Sequence, residues 1–112
     1  MRRLWSVVSL LALGSLLLSA GVALADPDGK ALYDSKCAMC HGADGVAKEM
    51  WAKKGARNFN DAAWQKEKTD EYLVKATAEG IPDKKMPAYK DKLKADEIDA
   101  IVKHIRTLAP AK

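Results

Sequence analysis

Cysteine, histidine and phenylalanine are scarce in this 112-residue chain, which holds two cysteines, two histidines and one phenylalanine. Two thiols are too few for a disulfide framework. A zinc site built on them and His41 would have no third cysteine to call on and only His104 as a further histidine. Alternating β-branched segments are missing too, so no sheet is expected, and a thioredoxin-like redox pair would lack the βαβ setting it needs. There is no internal repeat, low-complexity stretch or second domain. No cysteine follows the N-terminal apolar run, which leaves no lipid attachment site there.

That apolar run itself reads as an export signal. Arg2 and Arg3 precede an almost continuous apolar stretch from Leu10 to Leu18, and Ala23-Leu24-Ala25 gives a small-residue cleavage pattern ahead of Asp26. Retained, the stretch from Leu4 to Ala25 would be just long enough to span a bilayer. The interspersed serines and the A-x-A ending favour cleavage, so residues 1–25 are expected to be a signal peptide and residues 26–112 one small mature domain, free of the membrane. Losing Arg2 and Arg3 takes the formal net charge from +4 to +2, too little to argue for nucleic-acid binding.

The informative motif is Cys37-Ala38-Met39-Cys40-His41. C-x-x-C-H is the attachment signature of c-type haem: two sulfurs on one side of a helical turn each reach a vinyl group, and the adjacent histidine ligates the iron. A mature domain of about 87 residues has a thin core and usually needs a staple or a cofactor. A haem would supply one, so the apo chain is expected to fold poorly.

Wherever a pattern can be read it is helical. Asp26-Pro27-Asp28-Gly29 enters a first helix that carries Leu32, Tyr33, Cys37 and Cys40 at helical spacing, and Gly42 to Gly45 turns the chain away. Residues 46–61 read as a loop at the haem edge, with a short helical turn from Asp61 to Gln65. Thr69 caps a helix that stops at Gly80. The last helix has Asp96 and Glu97 in its first turn and a stripe of Ile98, Ile101, Val102, Ile105 and Leu108. Gly29 would let that helix cross the first one closely, with Tyr33 beside the crossing.

Between the last two helices, Pro82 and Pro87 bracket Met86 on an irregular strap, a suitable place for a thioether sulfur to approach iron. Other side chains fit the sixth position less well. Met39, between the cysteines, should point away, Met50 should pack, and His104 should be a packed or surface histidine of the last helix.

The order of signal, helix, C-x-x-C-H-G, loop, helix, M-P strap and closing helix resembles the small class I cytochromes c of bacteria across essentially the whole mature chain. The resemblance implies an all-α, cytochrome c-like fold of three to four helices wrapped around one covalently bound haem c, with the first and last helices crossing. It implies that Cys37 and Cys40 bind the haem, that His41 and Met86 are its axial ligands, and that iron cycles between ferric and ferrous states. One departure stands out: no proline lies between His41 and Pro82, where many members supply the carbonyl that orients the proximal histidine. Another carbonyl around Gly55 to Arg57 must do so. Arg57, Trp51 and Trp64 are candidates for contact with the propionates or the ring edge.

With both axial positions filled and no acid–base pair in view, the expected function is that of a periplasmic electron carrier and not an enzyme, monomeric and serving protein redox partners. Lys84, Lys85, Lys90, Lys92 and Lys94 flank Met86 and could steer an acidic partner. The competing reading is a peroxidase-like haem enzyme or gas sensor in which Met86 does not hold the iron. Carbon monoxide binding separates the two.

Overall fold

A computed structural model describes residues 26–110. The signal-peptide reading of residues 1–25 lies outside them. Three helices start where a side chain accepts an orphaned N–H group of the first turn. Asp28 accepts from Ala31 N at 3.1 Å and opens α1, Gly29–Lys36. Asp61 accepts from Trp64 N at 3.1 Å and opens α4, Ala62–Glu67. Thr69 accepts from Tyr72 N at 3.0 Å and opens α5, Asp70–Glu79. Short helical turns form α2, Ala38–His41, and α3, Glu49–Ala52. At the start of α6, Ala95–Arg106, the Glu97 carboxylate reaches back to Lys94 N at 2.8 Å.

The fold is therefore all-α, and its long elements are those the apolar pattern predicts. Two details differ. The helix expected to run through both cysteines breaks at Cys37, which lies between α1 and α2, while residues 46–61, read as loop, contain α3. The strap is also more ordered than an irregular segment. Ile81 and Met86 exchange backbone hydrogen bonds of 2.9 and 3.2 Å around a 3₁₀ turn, Pro82–Lys84. Pro82 fits there because the first position of a helical turn needs no N–H donor.

The first and last helices cross at Gly29, where a Cβ would overlap the Ala100 carbonyl; only glycine permits that approach. Tyr33 is wholly buried beside the crossing, against the His104 ring at 5.0 Å, and donates to the Gly42 carbonyl at 2.6 Å. The apolar stripe of α6 supplies Ile98, Ile101, Val102 and Ile105 to the core. Among the described residues, no helix is long and apolar enough to cross a membrane.

Candidate haem site

A cleft holding about 820 Å³ of empty space, part of it open to solvent, lies between the motif, α5 and the strap. Cys37, Cys40, His41 and Met86 all line it, so the four residues singled out from sequence share one space. Local structure explains why they meet. The α1–α2 turn presents the motif on a single face, with Cys40 N and His41 N both donating to Cys37 O at 3.1 and 2.9 Å. Strap and α5 are held together at Gly80, φ +75°, where a Cβ would strike the backbone of Met86, Pro87 and Ala88. Tyr89 fastens the strap's far end, its N–H bonding Thr77 O and its hydroxyl bonding Lys36 O, each at 3.1 Å.

His41 is positioned by its second nitrogen. Nδ1 lies 3.0 Å from the Arg57 carbonyl, which takes the place of the missing proline's carbonyl and leaves Nε2 for a metal. Burial lowers the pKa of His41 from its ordinary value, against the Arg57 hydrogen bond that raises it. The neutral imidazole that results is the form that ligates. Burial pushes the Cys37 thiol up to about 11, and Cys40 is raised for the same first cause. Both are free thiols and neither has the depressed pKa of a reactive redox pair. No group of three or more His, Cys, Asp or Glu side chains gathers to hold a metal ion among the described residues, which leaves the zinc reading without support.

The cleft's walls fit haem in three respects. Its lining is predominantly apolar, with Phe59, Leu73 and Ile105 from the core. Trp64 Nε1, on the same wall, is a buried donor without a partner, an unsatisfied group that an acidic substituent on a ligand would satisfy. The charged side chains that line it, Lys36, Arg57, Lys84 and Lys85, are all cationic, and no carboxylate joins them.

Of the remaining sequence candidates, Arg57, Trp51 and Trp64 all line the cleft. Met39 is 65% exposed and stays out of it, as expected. Met50, expected to pack, is 59% exposed instead, because α3 turns it outward. His104 packs on Tyr33 away from the cleft. Lys84 and Lys85 line it together with Lys36 and Arg57, whereas Lys90, Lys92 and Lys94 do not. Phe59, which sequence reasoning passed over, stacks on His41 with ring centroids 4.2 Å apart and planes 18° from parallel. Its being the only phenylalanine was the one available signal.

The His41 pKa fixes a pH dependence. The unfolded chain binds the imidazole proton near the ordinary value of about 6.5, whereas the folded chain binds it more weakly. Below that pH the unfolded state takes up a proton the folded state refuses, and ligation to a metal acts in the same direction. The contribution is fully present above about pH 6.5 and is lost as the pH falls from there toward the folded value. A urea midpoint that holds steady down to about pH 7 and then declines toward pH 5 is expected; a midpoint that rises over that interval would contradict it.

Comparison with known proteins agrees with this geometry. A family model described as cytochrome c oxidase, cbb3-type, subunit III matches residues 25–105. Among solved structures, the KustC0563 c-type cytochrome superposes with a TM-score of 0.70 at 37% identity, covering 74% of this chain and 99% of its own. A tyrosine-to-phenylalanine mutant of that protein gives 0.68 at 37% identity, covering 72% and 98%. No curated protein matches the sequence significantly.

Proposed function

The chain belongs to the family of c-type cytochrome domains that this model describes, and from that premise we propose that it is an exported, soluble, monohaem electron carrier with His41/Met86 ligation. Haem-based electron transfer between protein partners is the family's general activity. The observation that carries the finer reading is the single cleft shared by both cysteines, His41 and Met86.

When bound, the haem supplies a one-electron couple at its iron. The rest is the work of this chain's residues. Cys37 and Cys40 would hold the group covalently through thioethers. His41 offers Nε2 while Arg57 O holds Nδ1. Met86 offers a soft sulfur, which favours the reduced metal and raises the potential. Trp64 Nε1, a buried donor without a partner, would donate to a propionate, and Lys36 and Arg57 would offset its charge. Phe59, Leu73 and Ile105 keep water from the buried side.

The cleft's lining holds no carboxylate, and its histidine is committed to iron, so the site supports carriage of electrons over acid–base catalysis. Its cationic rim suits an acidic partner, a contact whose association rate falls as salt shortens the screening length to ~10 Å near 0.1 M. Cleavage after Ala25 frees the domain into the periplasm, where it works as a monomer.

Intact-mass analysis of the exported protein tests this reading. A chain beginning at Asp26, heavier by one haem and carrying it on the peptide from Cys37 to His41, is expected. Haem that extracts into acidified organic solvent would contradict covalent attachment, and a chain still beginning at Met1 would contradict cleavage.

A further inference from the structure

Gln65 is only 7% exposed, a buried amide in a small core. Its Nε2 donates to Phe59 O at 2.7 Å and to Ile105 O at 2.8 Å, and its Oε1 accepts from Arg106 Nη1 at 3.2 Å. These partners fix the amide's orientation, since a flipped amide would aim its oxygen at two carbonyls and its NH₂ at a guanidinium. Arg106 closes the network by donating to the Gln65 carbonyl at 2.6 Å and the Lys68 carbonyl at 2.7 Å, and by pairing with Asp70 at 2.8 Å. The end of α6 is thereby locked to α4 and to the backbone of Phe59.

Both backbone groups of Phe59 are held: its N–H donates to Gly45 O at 2.6 Å and its carbonyl accepts from Gln65. Trp64 at 5.7 Å and Tyr33 at 6.2 Å confine the ring further. That leaves it one place to lie, flat on the His41 imidazole. The imidazole needs such a neighbour. A lone hydrogen bond from Nδ1 to Arg57 O, 3.0 Å long, holds one edge of the ring and leaves its plane free to swing. A flat ring against its face removes the swing.

We propose that Gln65 and Phe59 are positioning residues for the axial histidine: Gln65 fixes Phe59, and Phe59 fixes the plane of the His41 ring. The inference rests on His41 being an axial ligand. The plane of an axial imidazole decides which iron d orbitals it overlaps, and so sets how unpaired spin is shared over the haem in the oxidised protein.

The test uses the haem-loaded protein, comparing electron paramagnetic resonance g-values and the pattern of paramagnetically shifted haem methyl resonances. Phe59→Leu, which keeps an apolar side chain and removes the stack, is expected to change both while covalent haem and the low-spin state persist. Gln65→Met, and the milder Arg106→Lys, which drops the guanidinium fork on the amide, should move the pattern in the same direction by less. Asp28→Ala removes only the α1 cap and should lower thermal stability without moving it. An unchanged pattern in Phe59→Leu overturns the proposal, as does an unchanged pattern in whichever of Gln65→Met and Arg106→Lys folds. A high-spin signal from the unaltered protein would overturn the ligation reading as well. A low-spin parent with unmoved variants overturns the positioning role alone.

Discussion

Met86→Ala is expected to give a protein that keeps its covalent haem, binds carbon monoxide and has a much lower reduction potential. The backbone around the substitution should survive, because the strap is closed by main-chain bonds between Ile81 and Met86 that do not involve the side chain. Gly80 and Tyr89 also hold the strap by its backbone or from a neighbouring position. What is lost is the thioether alone. A soft sulfur stabilises the reduced metal, so exchanging it for water should cost a large part of the roughly 0.8 V range over which axial ligands set haem potentials. Redox titration and a carbon monoxide difference spectrum report both effects. If neither changed, Met86 would have no part in the site.

Replacing Cys37 and Cys40 together by alanine is expected to abolish the cooperative fold along with haem retention. Nine apolar residues are buried in the described part of the chain, and Phe59, Trp64, Leu73 and Ile105 among them also face the cleft. Without a ligand that part of the core has nothing to pack against. Keeping the roughly 100 Å³ of cavity volume dry would cost about 2–3 kcal/mol at ~24 cal/mol per Å³. A domain of this size is typically stable by only about 5–15 kcal/mol in all, so that penalty, added to the lost contacts of those four side chains, removes a large share of it. Circular dichroism should show reduced helix and a broad urea transition. A sharp transition in the haem-free double variant would show that the helices hold together unaided.

Local signals made much of this legible in advance. Thr69 and Gly80 bracket α5, the isoleucine stripe marks α6, and Gly29 marks the crossing, because caps, periodicity and a missing Cβ each act within a few residues. The motif and the M-P strap supplied four residues that line one cleft. The missing proline narrowed the search for the acceptor of the His41 proton, and Arg57 supplies it.

Long-range placement was much less legible. Gln65 looks like an ordinary helix residue until α6 brings Ile105 and Arg106 against it, 40 and 41 positions later in the chain. Phe59 carries no pattern that ties it to His41. Lys36 and Arg57, distant in sequence from Met86, join Lys84 and Lys85 in the cleft lining, a meeting that no local pattern announces. Met50 illustrates the same limit in reverse: an apolar residue in a short turn gives no sign of which way the turn will face.

The most direct measurement is the absorption spectrum of the mature protein, oxidised and reduced, with a carbon monoxide challenge at neutral pH. Sharp low-spin bands, a weak sulfur-to-iron band in the oxidised form and no response to carbon monoxide are expected of an electron carrier ligated by His41 and Met86. A high-spin spectrum, or one that shifts with carbon monoxide, would contradict that ligation and point to a haem enzyme or gas sensor.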